Sequence, residues 1–195
     1  RGQLKLISVL IPAYNCRLWI EESLRSVVWQ TLVPDEILVA DDASTDGTAD
    51  FVESLGLPGV RVLRSERNLG ISRQLNRMIG EAKGRYLVRM DGDDIAHPDR
   101  FRTQLDAMER DRVGVMGTWS RRFGASCSVH RFPTSDETIK ASLLFSVPFC
   151  HPTVIMDRDS IRCDLRYDPE YDYAEDYHLW VRLRAVARFG NVPHV

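Results

Sequence analysis

Cysteine is scarce in this chain, and its distribution excludes two small-domain architectures. The four cysteines stand at positions 16, 127, 150 and 163, and no two of them form a C-x-x-C pair. Zinc ribbons and disulfide frameworks both need closer, repeated spacings. The cysteines therefore indicate reduced, mostly buried thiols, and we expect a cytoplasmic protein.

Long apolar runs and an excess of basic residues are absent as well. No run approaches the roughly 18 residues that a membrane-spanning helix requires, and no signal peptide opens the chain. The formal net charge is -2, and the arginines are dispersed among acidic residues. A nucleic-acid partner needs a basic face, so that partner is excluded. Peripheral association of a longer protein with the inner face of a membrane stays open.

Glycine-rich loops that cradle phosphates are also missing. The segment after the first apolar strand reads PAYNCR, where a dinucleotide-binding fold would place G-x-G-x-x-G. The P-loop pattern G-x-x-x-x-G-K-[ST] occurs nowhere in the chain. A bound nucleotide would therefore need side chains and a metal ion to hold its phosphates.

The chain does contain short apolar strands that alternate with amphipathic helices. Apolar segments at 6–12, 36–41, 60–63 and 86–90 are each followed by a helical pattern. Such alternation predicts parallel strands joined by right-handed crossovers. We therefore predict an α/β fold, with a mostly parallel, Rossmann-like open sheet flanked by helices and a less regular second half.

The length of 195 residues fits one domain. We expect a single catalytic domain, in which residues 1–116 bind a nucleotide and residues 117–195 bind the second substrate. The start RGQLK and the end GNVPHV are typical of a fragment of a longer protein.

Local signals predict several element boundaries. Gly84 is expected to end the third helix, and Pro98 to stand at or near the first turn of the fourth. A capping box from Thr134 to Glu137 predicts another helix. VGVMG and HPTVIM are expected to be strands, and AEDYHLWVRLRAVARFG a late helix.

Polar clusters follow three of the predicted strands: PAYN after the first, DDAS after the second and DGDD after the fourth. The carboxyl ends of parallel strands share one edge of a sheet, and ligands bind there. Carboxylates at D-x-D spacing suit Mg2+ or Mn2+, which takes one or two carboxylates together with phosphate oxygens. The clusters therefore predict a site for a metal and a diphosphate.

Alternatives exist for each cluster taken alone. Asp and Asn favour turns and helix caps, so DDASTDGT is also consistent with Ser44 or Asp46 capping the next helix. Tyr14 offers a flat ring for a base, or a core side chain. Asp41 offers an acceptor for a base N–H group.

Taken together, the motifs resemble glycosyltransferase family 2 enzymes with a GT-A fold. The resemblance rests on SVLIPAYN, ILVADDASTDGT, RNLGISRQLN, AKGRYLVRMDGDDIAHPDR, HPTVIM and AEDYHLWVRL, and leaves residues 117–147 unmatched. It implies an inverting enzyme that transfers a sugar from a nucleotide diphosphate sugar, most often a UDP-sugar, to an acceptor hydroxyl. Polysaccharide, glycolipid or other cell-envelope glycan synthesis is the implied setting.

The resemblance also implies the site residues. Asp93 would be the direct ligand of Mg2+ or Mn2+, Asp91 would lie near the metal or the ribose, and Asp94 would orient the loop. Arg67 lies in a segment implied to be near the nucleotide or the sugar. The implied nucleotide-binding residues are Pro12, Ala13, Tyr14, Asn15, Asp41, Asp42, Asn68, Arg73 and Asp91.

The resemblance assigns Asp176 as the catalytic base, with Glu175 orienting it or binding the acceptor. The chemistry requires a carboxylate on the acceptor side of the anomeric carbon. Alternatively, both acids simply favour the start of a helix. His151 and Trp180 are expected near the acceptor, although a buried histidine and a core tryptophan are the structural alternatives.

Two other functions stay open. A metal-dependent nucleotidyltransferase also binds nucleotides at strand ends, but usually has a glycine-rich and basic first loop, and PAYNCR has only Arg17. A catalytically silent nucleotide-binding domain would lack the base. The donor sugar is not specified by the sequence, nor is the acceptor, whether carbohydrate, lipid-linked or protein.

Overall fold

The computed structural model describes residues 6–124, 127–161, 163–171 and 173–194. These residues form a mixed α/β fold, as predicted. Its strands are β1 Ile7–Ala13, β2 Glu36–Asp41, β3 Val60–Arg64, β4 Tyr86–Arg89, β5 Val115–Thr118, β6 Ser120–Arg122, β7 Ser128–His130, β8 Ile155–Asp157 and β9 Phe189–Val192. Its α-helices are α1 Ile20–Val28, α2 Thr48–Ser54, α3 Ile71–Glu81, α4 Arg100–Asp111, α5 Asp136–Ser142 and α6 Glu175–Leu183.

Seven of the strands form one sheet in the order β3-β2-β1-β4-β8-β5-β9. Strands β1 to β4 pair in parallel, β8 is antiparallel to both of its neighbours, and β9 is parallel to β5. The strand order reverses at β1, between β2 and β4. In open α/β sheets a crevice forms at the carboxyl ends of the strands at such a point, and ligands bind in it.

The sheet is buried on both faces, which explains the continuous apolar runs in the sequence. Alternate residues of β1 enter different cores: Val9 and Ile11 belong to one hydrophobic cluster and Leu10 to the other. Helix α1 covers the first face with Ile20, Leu24 and other residues at helical spacing. Helices α3 and α6 cover the second face.

The connection before β4 differs from the expected one. Helix α3 ends at Glu81, and Gly84 does not have the left-handed backbone of a helix C-cap. Gly84 instead lies against β1, where its amide donates to Ser8 Oγ at 2.8 Å. Helix α4 begins at Arg100, so Pro98 lies two residues before the helix, near its first turn as expected.

Boundaries in the second half also differ from the predicted ones. The N-cap of α5 is Ser135, whose Oγ accepts from the Thr138 amide, so the expected Thr134 cap is wrong. In HPTVIM, His151–Thr153 forms a 3-10 turn, and the strand β8 begins only at Ile155. The predicted late helix stops at Leu183, and the following apolar residues form β9. The hairpin of β6 and β7 had no clear sequence signal.

Both halves of the chain contribute to the same sheet. Strand β5 crosses the expected division between residues 116 and 117. In the sheet, β5 lies between β8 and β9, which both come from the second half. The assignment of the two halves to two substrates stays a prediction. Within the described ranges, no helix combines the length and the apolar character that a bilayer crossing requires.

Candidate active site

The loop after β1 forms one wall of the crevice. Pro12 is half-buried and Ala13 is buried at the end of the strand, whereas the Tyr14 side chain is 53% exposed. The Asn15 amide donates to Ser44 Oγ at 2.9 Å, and Asn15 Oδ1 accepts from the Thr45 amide at 2.9 Å. The first and second strand-end loops are therefore held together, with the Tyr14 ring free to meet a ligand.

Asp41 and Asp42 are both buried but make different contacts. One oxygen of Asp41 accepts from the Ser44 amide at 3.2 Å, whereas Oδ1 is buried and has no hydrogen-bond partner in the described structure. Both oxygens of Asp42 accept backbone amides, from Leu69 and Gly70, each at 2.8 Å, and Gln74 also donates to Oδ1. Asp41 thus retains an unused acceptor, while Asp42 fixes the start of α3.

Asp46, the third acid of this loop, has a structural role. Its carboxylate accepts from the Thr48 amide and hydroxyl and from the Arg17 amide. Burial opposes its ionisation, but the hydrogen bonds from Thr48 and Arg17 outweigh that effect and lower the pKa of Asp46. The N-cap position of α2 is Gly47, without a side-chain cap, so Asp46 stabilises the turn just before the helix and does not cap it.

The D-x-D segment packs tightly on α1. Ser23 Oγ donates to the Asp91 carbonyl at 3.0 Å. A Cβ at Gly92 would lie 2.9 Å from Ile20 Cδ1 and 3.1 Å from Cys16 Sγ. The small residue between the two aspartates therefore lets the segment rest against the helix, which positions both carboxylates at the carboxyl edge of β4.

The three aspartates of this segment differ in environment. Asp93 is exposed and Asp94 is half-buried. Asp91 is half-buried and forms an ion pair with Arg89, from Oδ1 to Nη2, at 2.7 Å. Burial, together with the charges of Asp91 and Asp93, raises the pKa of Asp94 to about 6. The segment therefore concentrates negative charge that a bound cation would neutralise.

The donor set fits a metal ion that is shared with a diphosphate. In the part of the chain that the structure describes, no three His, Cys, Asp or Glu side chains cluster as a metal site. Asp91 and Asp93 supply only two carboxylates, which is the number Mg2+ commonly takes when phosphates and waters complete its shell. Phosphate oxygens would complete the ligand set that the protein side chains leave open.

Helix α6 presents its two acids differently. Glu175 is buried, and its Oε1 lies 3.9 Å from His151 Nδ1. Asp176 is half-buried, and its Oδ1 accepts from the Tyr177 amide at 2.7 Å. Burial raises the pKa of Asp176, and that amide, together with the charge of Arg89, offsets part of the effect. Asp176 is therefore the more accessible carboxylate of the two, and burial makes it more basic than an ordinary aspartate.

His151 lies in a buried aromatic cluster. Its Nε2 is 2.9 Å from the Tyr167 hydroxyl, and its ring meets the Trp180 ring edge-on. Burial, assisted by the charge of Arg89, lowers the pKa of His151 well below the ordinary value. Trp180 has no exposed surface. The acceptor roles of His151 and Trp180 stay predictions, to which this burial gives no support.

The segment 67–73 contributes exposed side chains. Arg67 and Asn68 are exposed. Arg73 is also exposed, and its Nη1 donates to the Leu69 carbonyl at 3.1 Å. Their nucleotide contacts remain predictions.

Sequence reasoning missed Arg89, whose side chain is buried at the site. The signal was the arginine inside the apolar strand YLVRM, because an unpaired arginine is almost never buried.

Comparison with known proteins identifies the family. The profile of glycosyl transferase family 2 matches residues 8–164. The chain belongs to this family.

Relatives agree with the match. A glycosyltransferase of Haemophilus influenzae is 30% identical over 96% of this chain, and the chain spans 63% of that relative. The hyaluronan synthase of Pasteurella multocida is 35% identical over the whole chain, which spans 20% of that enzyme.

Solved structures share the fold. TarS of S. aureus, solved with UDP, superposes with a TM-score of 0.79 at 24% identity, covering 97% of this chain and 58% of TarS. A mannosyltransferase of Pyrobaculum calidifontis, in complex with GDP-Man and Mn2+, gives a TM-score of 0.72 at 20% identity, covering 97% of this chain and 55% of that one. The GT-A fold expected from the sequence is confirmed.

Proposed function

We propose that this family 2 domain is an inverting glycosyltransferase that transfers a sugar from a UDP-sugar to an acceptor hydroxyl. The observation that carries the proposal is the buried, unpartnered Oδ1 of Asp41, beside the exposed ring of Tyr14 at the strand-reversal crevice. A buried acceptor without a partner is rare in a native structure and suits a ligand N–H group. The imide N–H of uracil is such a donor, and the Tyr14 ring offers a surface for stacking.

The donor proposal draws on the structural neighbours. TarS has been solved with UDP and with UDP-GlcNAc, at 22% identity in the latter case. A small polar cleft lined by Ser44, Ser65 and Glu66 lies beside Asp41 and would take the base or the ribose. We propose UDP as the nucleotide, with the sugar unspecified.

Asp93 and Asp91 would hold a Mg2+ or Mn2+ ion together with the diphosphate. When bound, such an ion neutralises the charge that develops on the leaving diphosphate. The Mn2+ in the complex of the Pyrobaculum mannosyltransferase supports a metal at this kind of site. The chain contributes the fixed position of the D-x-D segment on α1, which orients both carboxylates before the ligand arrives.

Asp176 would remove the proton of the acceptor hydroxyl as that oxygen attacks the anomeric carbon. The C–O bond forms on the face opposite to the leaving phosphate, so the configuration inverts in a single displacement. The burial that raises the pKa of Asp176 makes it a stronger base than an ordinary aspartate. Glu175, beside His151, would fix the start of α6 and orient its neighbour.

The names of several relatives support a role in glycan polymers. They include the amylovoran biosynthesis glycosyltransferase AmsE of Erwinia amylovora, 30% identical over 97% of this chain. We propose polysaccharide or cell-envelope glycan synthesis, with a carbohydrate, lipid-linked or protein acceptor. The proposal places the protein in the cytoplasm, with or without peripheral contact at the inner face of the membrane.

A thermal-shift screen of nucleoside diphosphates and their sugars, with and without Mn2+, tests the donor proposal. UDP with Mn2+ should stabilise the protein most, by about 2.7 kcal/mol at a hundredfold excess over Kd. Asp41→Asn should lose the preference for uracil, and Asp93→Asn should lose the Mn2+ effect. The matched control is Asp111→Asn, at the far end of α4, which should behave as wild type.

Two outcomes would contradict the donor proposal. Stabilisation by none of the diphosphates would exclude a nucleotide site. A preference for triphosphates, with release of pyrophosphate on turnover, would favour a nucleotidyltransferase instead.

Turnover of the donor tests the base. Asp176→Asn should slow transfer or hydrolysis of the UDP-sugar by about 100- to 10,000-fold, the usual contribution of a general base. UDP affinity should not change, because Asp176 lies on the acceptor side. Wild-type turnover in this variant would remove Asp176 from the mechanism and leave a silent binding domain as the better description.

A further inference from the structure

Arg89 is a buried cation directly beneath the proposed site. It is the last residue of β4, and its side chain is 3% exposed. Nη2 forms the 2.7 Å ion pair with Asp91, while Nε and Nη1 are buried and have no hydrogen-bond partner among the described residues. A guanidinium stays charged at any ordinary pH, so burying it with two unused donors is unfavourable. The fold retains it nevertheless, which calls for a reason beyond packing.

The backbone of Arg89 is held in place by a residue just before β8 and by the first residue of α4. Its amide donates to the Val154 carbonyl at 2.9 Å, and its carbonyl accepts from Arg100 Nη2 at 3.3 Å. Arg100 Nη1 also donates to the Pro152 carbonyl at 3.1 Å. The backbone of Arg89 is therefore fixed between the start of α4 and the 3-10 turn at His151–Thr153, while its guanidinium contacts Asp91.

That turn leads directly to the acceptor side. His151 contacts Tyr167 through Nε2 and approaches Glu175 through Nδ1. The charge of Arg89 acts on other groups as well: burial raises the pKa of Asp94, of Tyr167 and of Asp176, and that charge offsets part of each rise. The titratable and charged groups that face Arg89 from the surrounding elements are Asp91, Asp94, Arg100, Cys150, His151, Tyr167 and Asp176.

We propose that Arg89 is a positioning residue of the transfer reaction, a fixed buried cation that holds the donor carboxylate Asp91 in place. This inference rests on the proposed function. One arm of the Arg89 guanidinium fork, Nη2, contacts Asp91, and a lysine ammonium on its shorter side chain would not take that position. The charge of Arg89 also offsets part of the effect of burial, which raises the pKa of Asp176.

Two variants separate the contact that the Arg89 guanidinium fork makes with Asp91 from the effect of its positive charge. Arg89→Met removes both, so the Kd for UDP with Mn2+ should rise about tenfold, the equivalent of one charge-assisted hydrogen bond. Hydrolysis of UDP-GlcNAc, with water as acceptor, should slow further, and the acid limb of its pH profile should move to higher pH. Arg89→Lys keeps the charge, so it should weaken UDP binding while its acid limb stays near the wild-type position.

The matched control is Arg85→Met at the opposite end of β4. Arg85 is partly buried and pairs with Asp157 at 2.7 Å, so its loss removes a similar ion pair from the same strand. Arg85→Met should lower the melting temperature but leave UDP affinity and the pH profile unchanged. If Arg89→Met fails to fold, Arg89→Lys still tests whether the guanidinium contact with Asp91 is needed. Carbon-13 titration of Asp176 in Arg89→Gln then tests whether the charge of Arg89 affects that carboxylate.

The outcomes distinguish this inference from the proposed function. If the wild-type protein neither binds UDP nor hydrolyses any UDP-sugar, the proposed function is wrong, and so is the role proposed for Arg89 in the transfer reaction. If the wild type does both and the Arg89 variants match Arg85→Met in every measurement, only the role of Arg89 is wrong. A weaker UDP affinity together with a displaced acid limb, seen in Arg89→Met alone, would establish it.

Discussion

At the scale of single residues, the enclosure of His151 decides its charge. Tyr167 and Trp180 pack around the ring, Glu175 lies 3.9 Å from Nδ1, and Arg89 contributes a nearby positive charge. Burial and that charge both disfavour the imidazolium, so the pKa of His151 falls well below its ordinary value. The ring is therefore neutral in the folded protein at neutral pH and acts as a hydrogen-bonding spacer.

This depressed pKa predicts a specific pH dependence of stability. The unfolded chain takes up a proton at His151 below about pH 6.5, whereas the folded protein does not. The free energy of unfolding should therefore fall as the pH drops below 6.5, by up to about 1.4 kcal/mol per pH unit from this one group. Urea unfolding between pH 7.5 and 5.5 measures it.

In His151→Gln the part of the pH dependence that comes from His151 should vanish. The difference in unfolding free energy between variant and wild type therefore separates the contribution of His151 from that of the carboxylates. His194→Gln, at an exposed histidine, should keep the full wild-type slope. Parallel pH slopes for wild type and His151→Gln would show that the folded protein protonates His151 as readily as the unfolded chain does.

At the scale of elements, the close approach of the segment before β4 to β1 fixes the sheet register. A Cβ at Gly84 would lie 2.6 Å from the backbone nitrogen of Ser8 and from its Oγ. Ser8 Oγ in turn donates to Glu36, which also accepts the Lys83 amide. The ends of β1, β2 and β4 are thus tied together, opposite the edge that carries the site.

A pair of glycine variants tests this contact. Gly84→Ala should lower the free energy of unfolding by about 2 kcal/mol or more, because a backbone atom cannot move aside as a flexible side chain can. Gly80→Ala lies inside α3 with nothing within 4 Å of the added carbon, so it should raise stability by up to about 1 kcal/mol. Equal effects of the two variants in urea unfolding would contradict the contact.

At the scale of the whole molecule, the late strand β9 joins the second half to the same core. The β9 residue Phe189 is 1% exposed, and its ring meets the Phe149 ring edge-on at 5.5 Å. Asn191, also in β9, donates to the Pro133 and Pro148 carbonyls. The sheet therefore links residues from both halves of the chain, which predicts a single cooperative unfolding transition.

Phe189→Ala tests this cooperativity. The change should cost about 3–5 kcal/mol of stability, and tryptophan fluorescence and far-ultraviolet circular dichroism should shift together to lower urea. Phe123→Ala, at a residue 59% exposed on the β6–β7 hairpin, should have little effect. Two separated transitions in Phe189→Ala would mean that the nucleotide half folds independently.

Much of the first half was predictable because its signals are local. Strands β1 to β4 are short apolar runs, and α1 repeats its apolar residues at helical spacing, so neighbouring residues carry the information. Acidic clusters at the ends of parallel strands must meet at one edge, so the crevice followed from the order of the elements. The direction of β8, the existence of β9 and the Ser135 cap did not follow, because each depends on pairing or packing with distant residues.

The sequence by itself determined the α/β class, the family motifs and the strand ends at which the acids lie. Only the tertiary structure decided what each acid does. Both oxygens of Asp42 accept the amides of Leu69 and Gly70, whereas Oδ1 of Asp41 is buried without a hydrogen-bond partner in the described structure. It also decided that Arg89, an anomaly within an apolar strand, faces Asp91. The physical reason is that periodicity is a property of neighbouring residues, whereas burial, partners and pKa shifts are set by contacts between residues far apart in the chain.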